Sequence, residues 1–93
     1  MNPSELASYR SHKVVRAGRI LGILPSVTAA LNLDVETATG DRASAQASAS
    51  MCARFQDGGR SLEVGDYYVV YDDGYTSLSP KEAFDGGYGR LGA

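Results

Sequence analysis

The chain has 93 residues, nine Lys and Arg against eleven Asp and Glu, and a net charge of −2. That balance argues against nucleic acid as the default partner. The single cysteine, Cys52, excludes an intramolecular disulfide and fits a reducing compartment, and one cysteine with one histidine argues against a zinc site made by the chain alone.

No stretch approaches the ~18 consecutive apolar residues of a membrane-spanning helix, and the first residues lack the basic and apolar regions of a signal peptide. A single cytosolic domain is therefore expected. A domain of this size buries about two-thirds of its unfolded surface, and its net stability is on the order of 5–10 kcal/mol. The absence of Trp and the abundance of Gly, Ala and Ser predict a light core, which a homo-oligomer would complete.

Taken in chain order, residues 1–11 read as a flexible polar segment, with Leu6 and Tyr9 as its apolar anchors. From His12 to Leu24 the pattern is extended. Neither of its faces is cleanly apolar, and a β-bulge near Gly18 would reconcile them. Pro25-Ser26 reads as a turn. Val27, Ala29, Leu31, Leu33 and Val35 then alternate with polar residues, which predicts a strand with one wet face carrying Asp34 and Glu36. Thr39-Gly40-Asp41 reads as a hairpin turn. Residues 43–50 alternate Ala with Ser or Gln. The period is that of a strand, but alanine leaves a helix open there. Ser50 to Gln56 suits a short helix with Met51, Cys52 and Phe55 near one face, stopped by Gly58 or Gly59.

Gly65 to Phe84 carries the strongest local signal. Aromatic and β-branched residues from Tyr67 to Tyr71 predict a strand. Asp73-Gly74 suits a two-residue type I′ turn. In that register Tyr71 opposes Thr76 and Val69 opposes Leu78. Tyr67, Val69, Tyr71, Thr76 and Leu78 then face the core, while Tyr68, Val70, Asp72 and Ser77 face outward. Ser79 is the expected N-cap of a helix near 80–85, with Pro80 at its first position and Glu82 at the capping-box spacing.

The expected fold class is mainly β: a small antiparallel, partly open barrel of the SH3-like or OB-like kind, with about five strands and a short C-terminal helix. The expected division is a flexible segment at 1–11, a β domain at 12–85 and a Gly-rich tail at 86–93.

Two groups of side chains are candidate sites. Tyr67, Tyr68, Tyr71, Tyr75 and Tyr88 form a tyrosine-rich set. Most would pack in a small core; Tyr68 and Tyr75, on the expected outer face, are the ones placed for partner binding. His12, Lys13, Arg16 and Arg19 bring positive charge to the first long strand, suited either to an anionic ligand or to protecting a sheet edge. Asp72 and Asp73 are accounted for by turn chemistry. Cys52 as a nucleophile would need His12 as its base, and a buried free cysteine is the simpler reading. Neither Gly58-Gly59 nor Gly86-Gly87 has the setting of a phosphate loop. No catalytic, metal or cofactor site is expected.

The stretches Tyr9-Arg10-Ser11-His12-Lys13 and Gly65 to Tyr88 resemble a group of small tailed-phage proteins that share a "YRSHK" opening and a "GDYYVVYDDGYTSLSPKEAFDGGY" stretch. The group carries no assigned activity, so the resemblance implies a phage or prophage origin and no functional residues. The resulting expectation is a non-enzymatic accessory protein in the host bacterial cytoplasm. It would bind a host protein or a small anionic ligand, with counter-defence as one such role. The alternative is a virion component, such as a head decoration or tail accessory protein, whose partners are other virion proteins.

Overall fold

The computed structural model describes residues 3–10, 14–25, 30–57, 61–87 and 89–90. The fold is mainly β. A 3₁₀ turn (Pro3–Glu5) leads into strands β1 (Ala7–Arg10), β2 (Val14–Pro25), β3 (Leu31–Glu36) and β4 (Arg42–Ala47). Helix α1 (Ala49–Gln56) follows, then β5 (Tyr67–Val70), β6 (Thr76–Ser79), helix α2 (Lys81–Gly87) and β7 (Gly89–Arg90). The seven strands form one antiparallel, partly open sheet. Two strands, β1 and β7, exceed the five expected. Leu6 is fully buried, Arg16 donates to the carbonyls of Ser4 and Leu6, and Ala7–Arg10 pair with β2, so residues 3–10 of the expected flexible segment are tied to the sheet. The expected tail at 86–93 likewise contributes β7, which pairs with β1.

β2 organises the sheet. Its first half lies between β1 and β5, and its second half pairs with β3. The pairing with β3 shifts between Ile20 and Gly22, so the irregularity lies at Leu21 and not near Gly18. Gly18 has another task. A Cβ there would sit 2.8 Å from the Glu36 carbonyl oxygen and 3.0 Å from Leu6 Cδ2. The glycine lets the end of β3 and the Leu6 side chain close over β2.

The hydrophobic strand β5 is buried on both sides. Tyr68 and Val70 pack with Leu6, Ile20, Leu33, Val35, Leu78, Met51 and Phe55. Tyr67 and Val69 pack with Val15, Ala17 and Phe84. The rings of Tyr67 and Phe84 stack with centroids 4.2 Å apart, which seats α2 on that face.

The hairpin differs from expectation by one residue. Tyr68 opposes Leu78 and Val70 opposes Thr76. Tyr71 N–H donates to the Tyr75 carbonyl, Gly74 N–H donates to the Tyr71 carbonyl, and only Gly74 has positive φ, at 87°. A type I′ turn needs positive φ at both central residues, and Asp73 does not adopt it. The loop is instead three residues, Asp72 to Gly74, with the glycine in the left-handed position. The extra loop residue slips the register, so Thr76 and Leu78 join the face of Tyr68 and Val70. The same loop recurs between β3 and β4. There Thr37 N–H donates to the Asp41 carbonyl, Gly40 N–H donates to the Thr37 carbonyl, and Gly40 has φ 87°.

β3 and β4 bear out the period-two pattern. Leu33, Val35 and Ala47 are buried, while Asn32, Ser44 and Gln46 are exposed. α1 begins at the Ser48 cap, whose hydroxyl accepts from Met51 N–H at 3.2 Å, and it buries Met51 and Phe55.

Candidate functional site

Of the residues expected to bind a partner, the described ones (Tyr68, Tyr75, Arg16 and Arg19) do not form one patch. Tyr68 is 8% exposed. It was expected on an outer face, but α2 covers one side of β5 while β3 and α1 cover the other, so the hairpin has no open face at that position. Burial pushes the Tyr68 hydroxyl above its ordinary value, opposed by a hydrogen bond with Thr76. Its edge still reaches an open groove of about 480 Å³ along β3 and β4, lined also by Leu24, Leu33, Asn32, Asp34 and Ser44.

Of the basic set, Arg16 and Arg19 are described. His12, Lys13 and Tyr88 lie outside the described residues. Arg16 and Arg19 are three apart on an unbroken stretch of β2, so their side chains leave opposite faces. The Arg16 guanidinium donates to the Leu6 carbonyl at 3.0 Å and the Ser4 carbonyl at 3.3 Å, while Arg19 lies 3.8 Å from Glu36. β2 is moreover a central strand, so these charges do not guard an edge either. Arg16 does border a second groove, of about 490 Å³, with Val15, Val70 and Tyr71.

Tyr75 is exposed, as expected. It is 48% exposed at the hairpin tip. Its N–H donates to Asp73 Oδ1 at 2.9 Å, which fixes the loop. Arg54, in the last turn of α1, donates a hydrogen bond to the Tyr75 hydroxyl, and its guanidinium carbon stands 5.2 Å from the ring centroid. The Tyr71 ring is also close, tilted by 40° with ring centroids 5.8 Å apart. The arrangement is a preorganised aromatic and cationic tip. Arg54 did not emerge from the sequence because it comes from a separate helix.

Asp66 is the other residue that sequence reasoning missed. It is 2% exposed. One carboxylate oxygen accepts from Glu63 N–H at 2.8 Å and the other from Lys81 N–H at 2.9 Å. Asp66 thus caps α2, the role expected of Ser79. Ser79 is the last residue of β6, and its hydroxyl donates to the Pro80 carbonyl at 3.4 Å. Lys81 follows Asp66 by 15 positions, beyond any local capping pattern.

Cys52 is half-buried on α1 and packs against the main core, and burial pushes its thiol up. That shift leaves less thiolate, the reverse of what activates a nucleophile. Among the described residues no group of three His, Cys, Asp or Glu is placed to hold a metal ion, and no helix is long and apolar enough to cross a membrane. No protein-family model, curated protein or solved structure matches the chain.

Proposed function

We propose that this chain is a non-enzymatic binding protein that engages a partner protein through the tip of the β5–β6 hairpin, with Tyr75 as the anchor and Arg54 and Tyr71 beside it. One observation carries the reading: a half-exposed tyrosine on a tightly bonded loop has both an arginine and a second tyrosine against it. Tyr and Arg dominate binding hot spots, and a side chain already fixed in place loses little entropy on binding. Of the two ligand classes expected, the protein is favoured over the small anion, because Arg16 and Arg19 point to opposite faces and are each engaged within the chain. Asp66 is used to cap a helix, and burial raises the Cys52 thiol, which leaves less of the nucleophilic thiolate. A phage origin, and with it a host protein as the partner, rests on the resemblance carried by Tyr9 to Lys13 and Gly65 to Tyr88.

The test compares proteins captured from bacterial cells by tagged wild type, Tyr75→Ser and Arg54→Gln. A hot-spot loss of about 2 kcal/mol weakens binding about 30-fold, so a specific partner should be depleted on that scale in the Tyr75→Ser capture. Melting temperature should change little. Equal capture by all three proteins overturns the proposal. Recovery of virion proteins as the specific partners, with many copies of the chain in purified particles, assigns the same tip to virion assembly.

A further inference from the structure

Among the described residues the sheet has three margins, at β7, β6 and β4. The first is only two residues long, and the second is packed by α1, where Thr76 Oγ1 meets Met51 Sδ at 3.4 Å. Short length and a helical cover are both usual ways to blunt an edge. β4 has neither. Its six residues, Arg42-Ala43-Ser44-Ala45-Gln46-Ala47, include no proline, and its pairing with β3 runs without a bulge. Its one charge, Arg42, is held by Asp34 at 3.3 Å.

The free row of backbone groups can be assigned. Thr37 N–H donates to the Asp41 carbonyl, so that pair is hydrogen-bonded. Alternation along an antiparallel ladder then makes Val35–Ala43, Leu33–Ala45 and Leu31–Ala47 the bonded pairs. The N–H and C=O groups of Ala43, Ala45 and Ala47 are used within the sheet. Those of Arg42, Ser44 and Gln46, all exposed residues, point outward.

The geometry points to a second copy of this chain as the occupant, with β4 against β4 in antiparallel pairing about a two-fold axis at Ser44. A strand pairing with itself antiparallel is an isologous contact, which closes at two subunits. Centred on Ser44, the pairing sets Arg42 opposite Gln46 of the second copy, Ser44 opposite Ser44, and Ala43 opposite Ala45. Like faces stay together and no like charges meet. All three outward residues are used, giving about six new backbone hydrogen bonds. Centring on Ala45 would use only Ser44 and Gln46 within the strand. The half-buried Ala43 and Ala45 gain cover on the core side. This surface is separate from the hairpin tip, so the inference does not depend on the function proposed above.

A six-residue edge falls below the ~1,200 Å² of a standard stable interface, so the dimer should dissociate on dilution. Sedimentation equilibrium from about 5 µM to about 1 mM should show the mass doubling. Ser44→Lys places two ammonium groups at the axis, and Ser44→Pro removes an outward N–H without touching a bond to β3. Both should stay monomeric at the highest concentration while keeping the circular dichroism of the wild type. A covalent readout covers the case in which either variant folds poorly. In a Cys52→Ser background, Ser44→Cys should form an intermolecular disulfide under mild oxidation, because a hydrogen-bonded pair sets Cα atoms about 5.5 Å apart. Gln46→Cys should not. A wild type that remains monomeric throughout, a dimer untouched by Ser44→Lys, or equal crosslinking at 44 and 46 overturns the inference.

Discussion

Removing the Asp66 carboxylate tests how α2 is held to the sheet. Asp66→Ala deletes two charge-assisted hydrogen bonds, to Glu63 N–H at 2.8 Å and Lys81 N–H at 2.9 Å. Bonds to charged groups contribute about 1.5–3 kcal/mol each. Glu63 and Lys81 are exposed, so their freed N–H groups can turn to water, and the lower end of that range applies. The expected cost is about 3 kcal/mol, a third or more of the stability of a domain this small. At about 4–8 °C per kcal/mol, the melting temperature should fall by about 12–24 °C. Asp66→Asn discriminates capping from simple packing. It conserves shape, yet its amide can present only one oxygen, so an NH₂ group must confront one of the two N–H donors. It should cost nearly as much as alanine. Thermal unfolding followed by circular dichroism reads both variants. The near-ultraviolet signal of the stacked Tyr67 and Phe84 should weaken along with the far-ultraviolet transition, since α2 carries Phe84. A fall below about 3 °C for Asp66→Ala, or an Asp66→Asn variant that matches the wild type, would refute the reasoning.

Two more predictions concern backbone and pH. Gly40→Ala and Gly74→Ala should each cost about 1 kcal/mol, measured by urea denaturation, because both glycines have φ 87° although neither meets a neighbouring atom; unchanged midpoints would return the loops to another conformation. Burial raises the Tyr68 hydroxyl above its ordinary value of 10.0, so the unfolded chain loses its proton first. Stability from this group is therefore complete below about pH 10 and declines as pH rises through the folded value. Tyr68→Phe should show a smaller drop in urea midpoint between about pH 9 and pH 11 than the wild type, and an equal drop in both would sink the assignment.

Local signals were readable wherever neighbours in sequence are neighbours in space. The alternation of Leu31, Leu33 and Val35, the part of the period-two run 43–50 that lies in β4, the glycine turns and the helix bearing Met51 and Phe55 all follow that rule, whereas residues 48–50 of that run belong to the cap and first turn of α1. Failures arose where distant elements intervene. Asp-Gly suggested a two-residue turn, but Asp72-Asp73-Gly74 suits a three-residue loop equally well, and the choice moves every side chain of β6. A strand as apolar as Tyr67–Val70 is buried on both faces, which only the return of α2 makes evident. β1 has little periodicity of its own and exists through its pairing with β2. At the candidate site the exposure of Tyr75 was legible from the turn. Its arginine neighbour, 21 positions away, was not.

The ladder joining Tyr9 and Arg10 to Arg90 and Gly89 has a kinetic consequence. It links residues separated by almost the whole chain, and β2 in turn pairs with β5 across the intervening β3, β4 and α1. The β1–β2, β2–β3, β3–β4 and β5–β6 contacts and the helices are comparatively local. Such a topology loses loop entropy before its pairings repay it, which places folding in the millisecond-to-second range typical of non-local β proteins. During that interval the chain must persist with β2 unpaired on the side later taken by β5. The charges of Arg16 and Arg19, spent on carbonyls and Glu36 in the finished fold, are then free to repel another unfolded copy.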